Sequence, residues 1–171
     1  MLQKDLIKKF YEIRNIPFHI SIDGEPGFDC EDKAKMFIET ATTLGFEARM
    51  RVGLFDWKNI ALPSEIATIP HDKSCSHMFA EIKNRNKVWV FVDLTWNPEL
   101  FRAGFAITEW DGINSTEFAM VLKEILPLEK TAEYLRSIDR VTDMKENSKF
   151  YEALNFYCDE FLGGKQYDRA I

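Results

Sequence analysis

The 171-residue sequence predicts an α+β fold. Three observations carry that expectation. Apolar residues recur at helical spacing near both ends of the chain, strict alternation marks strands between them, and helices and strands are not interleaved as a parallel α/β fold requires. The length is enough to bury a core without disulfide staples. No repeat, low-complexity stretch or composition break divides the chain, so 1–171 reads as a single domain.

Residues 2–14 place Leu2, Leu6, Ile7, Phe10 and Ile13 on one side and Lys and Glu on the other, predicting a helix that Pro17 ends. The Gly and Pro content of 21–27 marks a loop. A second helix is expected from about Cys30 to Leu44, with Ala34, Phe37, Ile38, Ala41 and Leu44 on its apolar face. Asp29 suits its N-cap and Gly45 its C-terminal stop. Residues 46–54 are apolar at even positions and mostly charged at odd ones, a half-buried strand. A long connection follows over 57–76, containing Pro63 and Pro70 and suited to a cleft wall or lid. Two further strands, about 77–82 and 88–94, are joined across 83–87. The C-terminal part, about 115–165, reads as helical. Its first helix would be capped at Asn114 or Ser115, bury Phe118, Val121, Leu122 and Ile125, and stop at Pro127. Segments near 131–138 and 145–162 follow, the latter with Phe150, Leu154, Tyr157, Cys158 and Phe161 on one side.

The charge balance is acidic, 22 Lys+Arg against 28 Asp+Glu for a net −6, which argues against nucleic acid as a partner. No window approaches the roughly eighteen apolar residues of a membrane span. The start lacks the apolar run of a signal peptide, so a cytoplasmic location is expected. The three cysteines, Cys30, Cys75 and Cys158, are odd in number and none stands in a CxxC motif. That excludes a disulfide scaffold and a four-cysteine zinc site, leaving a reduced protein in which one thiol is free to do chemistry.

Cys30 falls in the first turn of the second helix, where free N–H groups and the helix dipole favour a thiolate. Its neighbours Asp29, Glu31 and Asp32 oppose that, so the thiol needs an imidazolium partner. The hairpin supplies one. Pairing Met78 with Val92, Ala80 with Val90 and Ile82 with Val88 makes one face wholly apolar. On the other face Phe79 then meets Phe91, Glu81 meets Trp89, and His77 meets Asp93. Opposed Cβ atoms lie roughly 4.5–5.5 Å apart, close enough for a carboxylate to bond an imidazole. A displacement of two residues would keep the faces and make the His77–Asp93 contact diagonal. In this arrangement Cys30 is the nucleophile, His77 its base and Asp93 the orienter of the ring.

These residues resemble a known family. The run Asp29-Cys30-Glu31-Asp32-Lys33-Ala34 with Phe37, followed by Leu44-Gly45-Phe46-Glu47-Ala48-Arg49, is similar to the cysteine-helix motif of the transglutaminase-like superfamily. His77–Ile82 and Trp89–Thr95 are similar to its histidine and aspartate strands, in the same order, within a stretch of about 28–96. Asp29 stands where the family often has Gly, and Leu94 where it often has Pro. The resemblance implies a papain-like core, with the nucleophile helix packed on an antiparallel sheet and additional C-terminal helices. It also implies a Cys30–His77–Asp93 triad that cleaves or transfers an acyl group at an amide bond through a thioester. Known relatives include cross-linking enzymes, proteases, amidases and inactive members. The expected partner is therefore a peptide, protein or small amide substrate, with neither cofactor nor metal, and the oligomeric state stays open. The alternatives are a binding module that keeps the fold without turnover, and a metal site drawn from Cys30, Cys75, His71 and His77. Cys158 reads as packing, His19 as incidental, and Trp57 and Trp96 as candidates to line a cleft. The Cys30 backbone N–H is one candidate oxyanion donor; the sequence names no second.

Overall fold

A computed structural model describes residues 2–22 and 24–163. Asp23 of the expected loop, and residues 164–165 at the end of the expected helical part, lie outside the described residues. Two helices come first, α1 (Leu2–Arg14) and α2 (Cys30–Thr43). Leu6, Phe10 and Ile13 of α1 are buried against Phe37 and Ala41 of α2, the spacing that predicted both faces. Asp29 caps α2: its Oδ1 accepts from the N–H of Glu31 at 2.8 Å and of Asp32 at 3.2 Å. The Asp32 carboxylate accepts in return from the Asp29 N–H, completing a capping box. Gly45 ends the helix at φ +84°, a left-handed conformation that a Cβ would strain.

Four strands follow: β1 (Ala48–Asp56), β2 (Ser74–Lys83), β3 (Trp89–Val92) and β4 (Leu122–Ile125). They form one sheet in the order β3-β2-β1-β4 with every neighbouring pair antiparallel. The class is thus α+β. One face of the sheet buries Ala80, Ile82, Val90 and Val92 together with α1, α2 and Trp110. The odd-numbered side of β1, expected to be solvated, is partly covered instead. Arg51 is 9% exposed; its guanidinium donates to Glu81 Oε1 at 3.0 Å and to the Leu126 carbonyl at 3.0 Å. The charges there are buried as pairs, which alternation alone does not distinguish from an exposed face.

The β2–β3 hairpin keeps the expected faces but not the expected register. Ala80 pairs with Val92, Glu81 with Phe91 and Ile82 with Val90, a displacement of two residues. The turn closes later, with the Asn84 N–H bonded to the Val88 carbonyl at 2.8 Å and Lys87 at φ +62°. A three-residue loop whose last member is left-handed fits the twist of a hairpin. Asn84 holds it: its Oδ1 accepts from the Val88 N–H and its Nδ2 donates to the Ile113 carbonyl.

The helix expected from 115 to 125 does not form. The Ser115 hydroxyl that suited an N-cap accepts instead from the Phe91 N–H at 3.0 Å, and the Thr116 hydroxyl accepts from the Asp93 N–H at 2.9 Å. Leu122–Ile125 becomes β4, completing an edge of β1. Pairing with strands already present outweighs helix propensity, which is worth only a few tenths of a kcal/mol per residue. The remaining α-helices are α3 (Ser64–Ala67), α4 (Leu128–Ser137), α5 (Arg140–Glu146) and α6 (Ser148–Glu160). The single helix expected over 145–162 is therefore broken at Asn147, whose side chain bonds Asp72 and Asp143. α6 buries Phe150, Leu154 and Cys158 in a second core with Phe55, Trp57 and Trp96. Among the described residues no helix is long and apolar enough to cross a membrane.

Candidate active site

Cys30 is the first residue of α2 and half-buried. Capping occupies the N–H groups of Glu31 and Asp32, and no described residue accepts from the Cys30 N–H. His77 lies in β2 and Asp93 just beyond β3, both fully buried. The displaced register puts them on a diagonal rather than face to face, yet His77 Nε2 and Asp93 Oδ2 are 2.7 Å apart. The Cys30 thiol lines the same cavity as the imidazole and lies close enough to it and to the Met78 N–H for both to favour its anion. Nδ1, the ring nitrogen turned away from Asp93, has no conventional hydrogen-bond partner. The three residues singled out by spacing are therefore adjacent.

Asp93 is held on every side. Its Oδ2 also accepts from the Ala119 N–H at 2.8 Å, and its Oδ1 accepts from the Thr95 hydroxyl at 2.7 Å and the Thr95 N–H at 3.2 Å. Burial alone would raise its pKa, but the His77 charge and these donors hold the carboxyl below its usual range. His77 moves the other way. Burial opposes its charge, and the Asp93 carboxylate, aided by Cys30, overrides that and lifts the imidazole to about 10. Phe79 and Phe55 flank the ring, with centroids 5.8 and 6.4 Å away. Burial is the largest influence on Cys30 and pushes the thiol up; His77 and the Met78 N–H pull it down, while Asp29 adds to the rise.

Several residues of the site were not singled out in the sequence. Lys33, one turn after Cys30, is fully buried. Its ammonium donates to the carbonyls of Arg14 at 3.0 Å, Ile16 at 2.6 Å and Thr95 at 2.8 Å. It thereby ties the end of α1 and the segment after Asp93 to α2. Burial pushes its pKa down to about 7. Its position on the apolar arc with Ala34 and Phe37 was the available signal. Ala119 and Thr116 come from the segment misread as helix, and no local pattern marks them.

A cavity of about 60 Å³ adjoins Cys30 and His77. Trp57 and Trp96 line it; the Trp96 N–H is already donated to the Ala119 carbonyl at 2.9 Å. Of the expected 57–76 connection only Trp57 lines the cavity; β2 begins at Ser74, three residues earlier than expected, and Cys75 and Ser76 reach the cavity from that strand. α5 and α6 close it with Arg140, Asp143, Met144 and Tyr151. Cys75 is pushed up to about 12, chiefly by burial. His71 does not join the cluster: it stacks on Phe150 at 3.9 Å with its Nδ1 against the Ile69 carbonyl. Among the described residues no group of three or more His, Cys, Asp or Glu is arranged to hold a metal ion. Cys158 is buried in the second core, as packing.

Comparison with protein-family models, with curated proteins and with solved structures finds no match to this chain.

Proposed function

We propose that the chain is a cysteine-dependent hydrolase or acyltransferase acting at an amide bond, of the transglutaminase-like type its motifs resemble. The observation that carries this reading is the buried His77–Asp93 pair, with one ring nitrogen bonded to the carboxylate, the other without a partner, and Cys30 lining the same cavity as the ring. Cys30 Sγ, as the thiolate, attacks the amide carbon. The Cys30 N–H donates to the oxyanion, and His77 Nδ1 gives its proton to the departing amine as the C–N bond breaks. A thioester remains. Water or an amine then attacks it, His77 takes that nucleophile's proton, and the thiolate is released beside the imidazolium with the acid or the new amide. Asp93 holds the ring and its charge throughout.

The test is alkylation by iodoacetamide at near-neutral pH, followed by peptide mass mapping. Cys30 should react at least about tenfold faster than Cys75 and Cys158, and both Cys30→Ala and His77→Ala should remove that fast phase. Equal labelling of wild type and Cys30→Ala would overturn the reading. A second reading, a binding module without turnover, is favoured by the upward push of burial on the thiol and by the small cavity. It predicts Cys30 labelling that follows an ordinary thiol pKa of about 8.5 or higher and does not respond to His77→Ala.

A further inference from the structure

After burial, the carboxylates beside Cys30 oppose a thiolate, and α5 answers them. Arg140 donates from Nη2 to Asp29 Oδ2 at 2.7 Å and from Nη1 to Glu31 Oε2 at 2.7 Å, so one guanidinium spans the residues on either side of Cys30. The Asp29 and Glu31 side chains are only 6% and 12% exposed, and that of Arg140 is 31%. Salt therefore screens this cluster less than it screens a surface pair. Arg140 also lines the cavity beside Cys30. The other charges facing the thiol are already committed. On α2, Asp32 closes the capping box and Lys33 is bound to three carbonyls. Glu31 has a second partner in Lys35 at 2.6 Å. From the sheet side, His77 and Asp93 pair with each other. From the C-terminal helices, Asp143 accepts from Asn147 and from the Tyr151 hydroxyl, and on β2 Cys75 is a neutral thiol.

We infer that Arg140 is a positioning residue for the nucleophile: by neutralising Asp29 and Glu31 it makes the acidic start of α2 compatible with a Cys30 thiolate. This rests on the proposed role of Cys30. Arginine suits the task because its rigid fork reaches two carboxylates at once, which a lysine ammonium cannot hold in the same geometry.

The experiment is the pH profile of Cys30 alkylation by iodoacetamide in the full chain. Arg140→Gln should displace the profile about one pH unit upward, lowering the rate at fixed near-neutral pH about tenfold. Arg140→Lys should recover part of the loss. Glu31→Gln, which removes one carboxylate, should move the profile down and gives an independent reading if Arg140→Gln does not fold. A profile for Arg140→Gln that superposes on wild type would overturn the inference. So would one that is faster at every pH without displacement, because Arg140 would then merely hold α5 over the thiol. An upward or absent displacement in Glu31→Gln would also overturn it. Failure of the triad reading looks different: His77→Ala would leave Cys30 labelling unchanged whatever Arg140→Gln does.

Discussion

Asp93 and Cys30 flank the same imidazole, and the fold treats them in opposite ways. Asp93 is fully buried and receives the Ala119 N–H, the Thr95 N–H and hydroxyl, and His77. Every donor favours its anion, and two of the segments supplying them are tied down in turn, by Lys33 on Thr95 and Trp96 on Ala119. Cys30 is half-buried, lies near the Met78 N–H and the imidazole, and sits beside Asp29 and Glu31. Its anion is favoured only by contacts that another element must rebalance. The His77–Asp93 pair is built into the fold. The ionisation of Cys30, the proposed nucleophile, is left adjustable, and α5 is the element in position to adjust it.

The largest effect should come from breaking the rigid half. Asp93→Ala leaves a buried imidazole and the Ala119 and Thr95 donors without their acceptor, and should lower stability by about 3–5 kcal/mol in urea unfolding. A loss under about 1 kcal/mol would show that the carboxylate is not the hub its hydrogen bonds describe.

Next in size is a pH effect from His77, whose pKa rises from 6.5 in the unfolded chain to about 10 in the fold, with Asp93 overriding the burial penalty. A raised folded value means the stabilisation is fully present below 6.5 and is lost as pH climbs through about 10. The stability difference between wild type and His77→Gln should therefore shrink across that window by a few kcal/mol. A difference that stays flat, or grows, would contradict a charged imidazole held by Asp93.

The smallest effect belongs to the adjustable half. Asp29→Asn keeps a good N-cap residue but gives up the charge of the Arg140 pair, so stability should fall by about 1–2 kcal/mol. It removes one negative charge beside the thiol, so Cys30 alkylation at near-neutral pH should rise several-fold. Alkylation that slows instead would mean that the carboxylate aids the thiolate, and the contrast between the two halves would fail.

Much of this arrangement was legible before the fold was known, and the reasons are local. The extent of α2 followed from apolar spacing, its start at Cys30 from the capping potential of Asp29, and its end from Gly45 in a left-handed conformation. The hairpin faces followed from alternation, which survives a slip of two residues. Because the slip preserves faces, His77 and Asp93 meet across a diagonal where a direct pairing was expected. The turn position was not legible: Asn84 is fixed partly by the Ile113 carbonyl, far along the chain. Nor was the fate of Ser115, whose hydroxyl fits a helix cap as well as it fits the Phe91 N–H of β3.

The amino-acid order by itself determined the α+β class, the helix that opens on Cys30 and the short list of residues able to share a site. Each rests on period, capping or residue chemistry, which act over a few neighbours. Tertiary structure alone decided that 122–125 would complete a sheet edge, that Lys33 would be buried on three carbonyls, and that Arg140 would reach Asp29 from 111 residues away. The physical reason is the same in each case. A hydroxyl, an ammonium or a guanidinium has many partners of nearly equal quality within a chain, and only packing selects which of them comes within about 3 Å.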